Sequence, residues 1–229
     1  MEGSTTMKAL EAFKSVPRTQ RSQLDYILLD GSSSMQDKWW DSLDAIEAYV
    51  QGLKREAVHS HLLLSTFSCI FGGGIAQHMQ RDLPIADWKP LREAPIGSDW
   101  GMTPLYDAIN NMGRELRDLD PPRCSIVIVT DGEENGSKYT TLVQAKAILD
   151  WCRAKGWQVT FIGADFANAR QARLLGAVEG SSIGVAKANL KLATDALAKK
   201  RAAYGLHGTD MHYTDGEQQQ FGGYLGAPK

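Results

Sequence analysis

The sequence predicts an α/β protein: a doubly wound, mainly parallel central sheet with one antiparallel edge strand and helices on both faces. Three observations carry this. The short unbroken apolar runs Tyr26-Ile27-Leu28-Leu29 and Ile126-Val127-Ile128-Val129 read as strands buried on both faces. Between such runs lie segments with apolar residues at helical spacing, so strand and helix alternate. The triplet Gly72-Gly73-Gly74 permits the positive φ angles of a tight hairpin, which pairs two neighbouring strands antiparallel.

The elements follow in order. Residues 1–21 form a polar N-terminal extension, with a short helix expected over Met7–Ser15. A strand covers Gln23–Leu29, and a helix covers Trp39–Leu53 with Leu43, Ile46, Tyr49 and Val50 on one side. Strands His61–Phe67 and Ile75–Gln80 make the hairpin, and 82–102 reads as loop. A helix begins at Pro104, where a missing N–H needs no partner, and runs to Leu116. Next come a strand over Arg123–Val129 and a helix over Thr140–Ala154 that turns Leu142, Ala145, Ile148, Leu149 and Cys152 inward. A strand over Gln158–Ile162, a helix over Ala167–Leu175 and a short strand at Ile183 lead to an amphipathic helix over Ala188–Tyr204. Leu190, Leu192, Ala193, Leu197 and Ala198 should face the sheet there, and Lys199-Lys200-Arg201 reads as the solvated end, where positive charge suits the helix dipole. Residues 22–204 thus form one domain. Residues 205–229 form a glycine- and aromatic-rich tail, in which glycines are expected to interrupt regular structure and Tyr213, Phe221 and Tyr224 to dock on a partner.

Composition bounds the function. A net charge of -2 gives no basic excess for a nucleic-acid partner. No apolar stretch reaches the roughly 18 residues of a membrane helix, and Met1–Thr6 lacks the basic flank and apolar segment of a signal peptide. The three cysteines, Cys69, Cys124 and Cys152, lack paired spacing and suggest neither a disulfide framework nor a zinc site. The expected setting is cytoplasmic or virion-associated.

Three segments carry the chemistry. Asp30-Gly31-Ser32-Ser33-Ser34 follows the first apolar strand, Gly101-Met102-Thr103-Pro104 lies mid-chain, and Thr130-Asp131-Gly132-Glu133 follows the later strand. Ligands of open α/β sheets gather outside the carboxyl ends of strands, and hard cations take carboxylate and hydroxyl oxygens. Each piece alone has a plainer reading. Asp30-Gly31-Ser32 makes a turn and helix cap, Thr103-Pro104 a cap, and Asp131-Gly132 a turn.

Together the pieces resemble the metal-ion-dependent adhesion site of von Willebrand factor type A domains, the integrin I-domain fold. The resemblance covers roughly residues 22–204: Asp-x-Ser-x-Ser at Asp30, Ser32 and Ser34, then Thr103, then Asp131, in the family's order. It implies the same fold and a Mg²⁺ ion, with Mn²⁺ and Ca²⁺ as alternatives. Ser32 and Ser34 would bind the ion directly. Asp30 and Asp131 would bind it directly or through water, and Thr103 would join it in one state and retreat in another. An open position would take an Asp or Glu from a protein partner. Glu133 and Glu134 would raise the negative potential beside it.

The function implied is a non-enzymatic, metal-dependent protein-binding module, an adaptor or assembly subunit of phage or bacterial kind, working with an AAA+ ATPase system or a virion component. The alternative is a structural protein of a larger particle such as a phage virion, with the tail docking on a neighbour. A metal-dependent hydrolase is a third reading, but no catalytic residue is assigned. Ser32 and Ser34 lack the glycine at the required position of a Gly-x-Ser-x-Gly elbow, and the chain has no Walker loop. His59 with His61, and the group His207, Asp210, His212 and Asp215, are weaker metal candidates. Trp39, Trp40 and Trp100 are candidates for core or for the rim of the site.

Overall fold

The computed structural model describes residues 23–70, 73–93, 95–131, 133–163, 166–185 and 189–221. The expected helix over Met7–Ser15, Gly72 of the hairpin turn and residues 222–229 lie outside them. Six strands form one sheet: β1 Leu24–Asp30, β2 His61–Cys69, β3 Ile75–Pro84, β4 Cys124–Val129, β5 Gln158–Gly163 and β6 Ser182–Gly184. Their order is β3-β2-β1-β4-β5-β6, parallel except for β3, which runs antiparallel to β2 at one edge. From β1 the chain winds outward to β2 and β3, then returns to place β4 on the other side. The direction therefore reverses between β1 and β4, and a crevice opens at their carboxyl ends.

The strands are apolar without alternation because both faces are covered. Ile27, Leu29, Val127 and Val129 point to one core, which they share with α1 (Trp39–Arg55) and α5 (Leu190–His207). Leu24, Tyr26, Leu28, Ile126 and Ile128 point to the other, shared with α2 (Leu105–Leu119), α3 (Leu142–Ala154) and α4 (Phe166–Leu174). Helix α3 starts in a capping box, Thr141 with Gln144. Helix α2 starts one residue later than expected, with Pro104 at its N-cap rather than inside it.

Three expectations are corrected. Leu192 is half exposed, so α5 faces the sheet through Leu190, Ala193, Leu197 and Ala198. The tail is not without regular structure. Helix α5 continues through Gly205 to His207 and stops only at Gly208, whose φ of 73° suits glycine. A further helix, α6, covers Asp215–Phe221, and Met211, Tyr213 and Phe221 are buried in the domain's own core. Apolar burial thus outweighs the glycine content as far as Phe221. Lys200 helps by pairing with Glu217 at 2.8 Å.

The third correction concerns Arg201, expected in solvent. It is fully buried, with Nε 2.7 Å from Asp25 Oδ1 and Nη2 3.1 Å from Asp25 Oδ2. Gln23 accepts from its Nη1 at 2.7 Å. Tyr49 donates to Asp25 Oδ1 at 2.9 Å, and Ser60 donates to Oδ2. An aspartate within a fully buried strand needs such partners, because an unpaired buried charge is far too costly. Replacing Arg201 by Ala should therefore cost about 3–5 kcal/mol, read as a lower urea midpoint. Lys200→Ala, losing a partly exposed pair, should cost about 1 kcal/mol or less.

Candidate functional site

The predicted residues sit on the rim at the reversal point. Asp30 ends β1, and Asp131 lies two residues beyond β4. Between them side chains and the Ser32 main-chain amide form a continuous hydrogen-bonded string. Asp30 Oδ1 accepts from the Ser32 amide at 2.8 Å, and Asp30 Oδ2 accepts from the Thr130 hydroxyl at 2.6 Å. The Ser32 and Ser34 hydroxyls lie 3.0 Å apart, and Ser34 donates to Asp131 Oδ1 at 2.8 Å. Asp131 Oδ2 pairs with the ammonium of Lys38. The turn reading of Asp30-Gly31-Ser32 is thus partly right, but Ser32 places no cap bond on the short 3₁₀ helix Ser33–Lys38. Its hydroxyl faces Ser34 instead.

The structure links four of the five predicted residues directly and seats Thr103 in the adjoining loop. Thr103 is buried and held from the main chain: its amide donates to Asn135 Oδ1 at 2.7 Å, and its carbonyl accepts from the amides of Asn135 and Gly136 at 3.1 and 3.2 Å. The segment before it is laced to both neighbours. Cys69 and Met102 exchange backbone bonds of 3.1 and 2.8 Å, extending β2. The Ser33 amide donates to the Gly101 carbonyl at 2.8 Å, and the Trp100 amide to the Gly31 carbonyl at 3.2 Å. Two glycines permit this approach. A Cβ on Gly101 would overlap the Cys69 carbonyl, and one on Gly31 would overlap Ser98.

Several neighbours have roles that the sequence did not disclose. Glu134, expected to add negative potential, organises the third loop: it accepts from the amides of Tyr106, Gly136 and Ser137 at 2.9, 2.8 and 2.6 Å and from the Ser137 hydroxyl at 2.7 Å. Glu133 lies outside this net, 3.4 Å from Arg170. Lys38 reaches Asp131 from four residues after Ser34 in a helical turn, the one sequence signal of its role. Trp39 is core and meets Trp100 edge-to-face at 5.2 Å, whereas Trp40 is exposed beneath Arg92. His61 is buried against Asp82.

Electrostatically, Asp30 is the strained member. Burial pushes its carboxyl up to about 6, against the bonds from Thr130 and Ser32 and with the Asp131 charge adding to the rise. Among the described residues no three His, Cys, Asp or Glu converge as metal ligands, at the tail cluster or elsewhere. A cation here would depend on hydroxyls together with two carboxylates. The donor set fits a small hard ion. Octahedral oxygens at about 2.0–2.1 Å from Mg²⁺ stand about 2.9 Å from one another, and the two serine oxygens stand 3.0 Å apart.

No protein-family model and no curated protein matches the chain. Solved structures do. The pilus adhesin SpaC from Lactobacillus rhamnosus GG superposes with a TM-score of 0.60 at 11% identity, over 79% of this chain and 30% of that one. The vWF domain of the type V pili tip protein Mfa5 from Porphyromonas gingivalis gives 0.60 at 12% identity, over 84% of this chain and 98% of that one. The manganese-loaded TRAP protein of Plasmodium vivax gives 0.54 at 15% identity, over 75% and 72%. The chain spans between 30% and 46% of the first four structures it matches. Such distant likeness bears on architecture alone, and with the strand order and the reversal point it shows that this chain has the von Willebrand factor type A fold.

Proposed function

We propose that this domain is a divalent-metal-dependent protein-binding module that recognises an acidic side chain of a partner. One observation carries the reading: Asp30, Ser32, Ser34 and Asp131 come from two distant segments and are joined by hydrogen bonds into one polar cluster at the sheet's reversal point. Ser32, Ser34 and Asp131 would hold the ion, Asp30 would orient the loop and supply charge, and Thr103 would stand beside them. When bound, the ion supplies a site for a partner carboxylate. Mg²⁺ is the proposed ion, with Mn²⁺ and Ca²⁺ as alternatives, because carboxylate and hydroxyl oxygens accept all three. SpaC is a pilus adhesin and Mfa5 a pilus tip protein. Their likeness supports a role in adhesion or assembly.

Among the described residues no helix is long and apolar enough to cross a membrane. The cytoplasmic expectation rests on the cysteines, all three buried and unpaired. Pilus neighbours support a surface-associated setting equally well. The second reading, a particle component docking through its tail, draws less support up to Phe221, since Tyr213 and Phe221 are spent on the domain's own core.

Affinity capture in Mg²⁺ and in EDTA, with wild type beside Asp30→Ala, tests the proposal. The expected partner is held in Mg²⁺ and lost both in EDTA and with the variant. A partner retained under all conditions moves the function to another face. The pH dependence follows from Asp30. Its folded pKa of about 6 lies above the ordinary 3.8, so its contribution to stability is fully present below 3.8 and disappears as pH rises through about 6. The ion should therefore raise the melting temperature most above pH 6 and progressively less below it, where protons compete for Asp30. A Mg²⁺ shift of equal size at pH 5 and pH 7.5, read by thermal unfolding, would count against Asp30 in the site.

A further inference from the structure

The two carboxylates of the rim are held differently. Asp30 is bound by neutral donors, the Ser32 amide and the Thr130 hydroxyl. Asp131 takes the Ser34 hydroxyl on one oxygen and the Lys38 ammonium on the other. Lys38 ends the 3₁₀ turn that Ser33 opens, so Ser34 and Lys38 reach the same carboxylate from one turn of chain. The Asp131 side chain is 3% exposed and that of Lys38 28%. The carboxylate is fixed, and the ammonium approaches it from the solvent side.

We infer that Lys38 is a resident counter-ion that competes with the divalent cation for Asp131, so that this carboxylate stays charge-paired without metal and takes the ion only when the ion displaces the ammonium. This rests on the metal-binding reading above. Without Lys38, Asp131 would sit buried next to a second acid with no cation of its own. With Lys38 in place, an arriving divalent ion meets a positive charge on the carboxylate it needs. The two cations repel at contact distance, most strongly where water is scarce. Entry therefore includes breaking an ion pair, which lowers the apparent affinity. The ammonium has somewhere to go: it sits on a flexible four-carbon stem. Asp41, on the first turn of α1, lines the same cavity of about 120 Å³ as Lys38 and Asp131. The serine hydroxyls carry no such competitor, so the barrier to filling lies at Asp131.

The test is a Mn²⁺ titration of the full chain, with free ion counted by electron paramagnetic resonance. The variants are Lys38→Met, Lys38→Gln and Lys38→Arg. Met keeps the apolar stem, Gln keeps a polar end should Met impair folding, and Arg keeps the charge. Met and Gln should bind Mn²⁺ roughly two- to fivefold more tightly than wild type, the worth of a partly exposed ion pair. Arg should bind as wild type does. In EDTA, Met and Gln should melt at a lower temperature than wild type, and saturating Mn²⁺ should more than restore the difference. Equal or weaker binding by Met and Gln overturns the role of Lys38 and leaves the metal site standing. Tight binding by Arg overturns it too, since charge would not be the cause. No binding by any folded form, wild type included, overturns the metal-binding reading and this inference with it.

Discussion

The buried pair of Asp25 and Arg201 is the constraint on which the rest of the molecule depends. It joins the central strand to the last long helix at the point where the sheet is most completely enclosed. Tyr49 brings α1 into the same knot, and Ser60 brings in the residue before β2. Four elements distant in sequence are thereby fixed in one register about β1. Unpaired, either charge would be intolerable in that position, so alternative packings of α5 are heavily penalised. Sliding the helix by one turn, about 5.4 Å, would pull Arg201 from Asp25 and strand both. The rim above β1 inherits this fixity, because Asp30 stands at the other end of the same strand.

Fixity below is matched by lacing above. Three loops meet at the rim, and each is tied to the next by main-chain hydrogen bonds. Gly31 meets Trp100, Ser33 meets Gly101, and Thr103 meets Asn135 and Gly136. Glu134 then closes the third loop onto the start of α2. Side-chain oxygens placed on such a framework are already ordered, so any ligand they take would cost less entropy to bind. The cost is the burial of Asp30 in a setting that disfavours its charge.

The fold was legible because burial on two faces leaves an unmistakable trace. Residues 24 to 29 alternate between the two cores, so an apolar run is what the strand requires. The grouping of Asp30, Ser32 and Ser34 was equally legible, since they share one loop. Interactions across the chain were not. Arg201 was read with its lysine neighbours, yet it follows Thr194, Leu197 and Ala198 on the inward face of α5, and its partner is 176 positions away. Helical spacing was the better guide there, and local charge misled. The tail shows the same failure in reverse: its glycines suggested loop, but Tyr213 and Phe221 had a core to enter. Glu134 and Lys38 act through partners that only the folded rim brings together.

The middle segment contributes backbone to the rim and leaves its most conspicuous side chain half outside. Trp100 commits its amide and carbonyl to Gly31 and Ser33, while its ring, edge-on to Trp39, remains partly exposed at a positive φ of 50°. The side-chain oxygens and the surface around them are therefore separately heritable. Substitutions at this exposed position can alter the face presented to solvent without disturbing the oxygens, provided the chain path is kept. Such a division lets a lineage vary the rim while its polar centre stays in place.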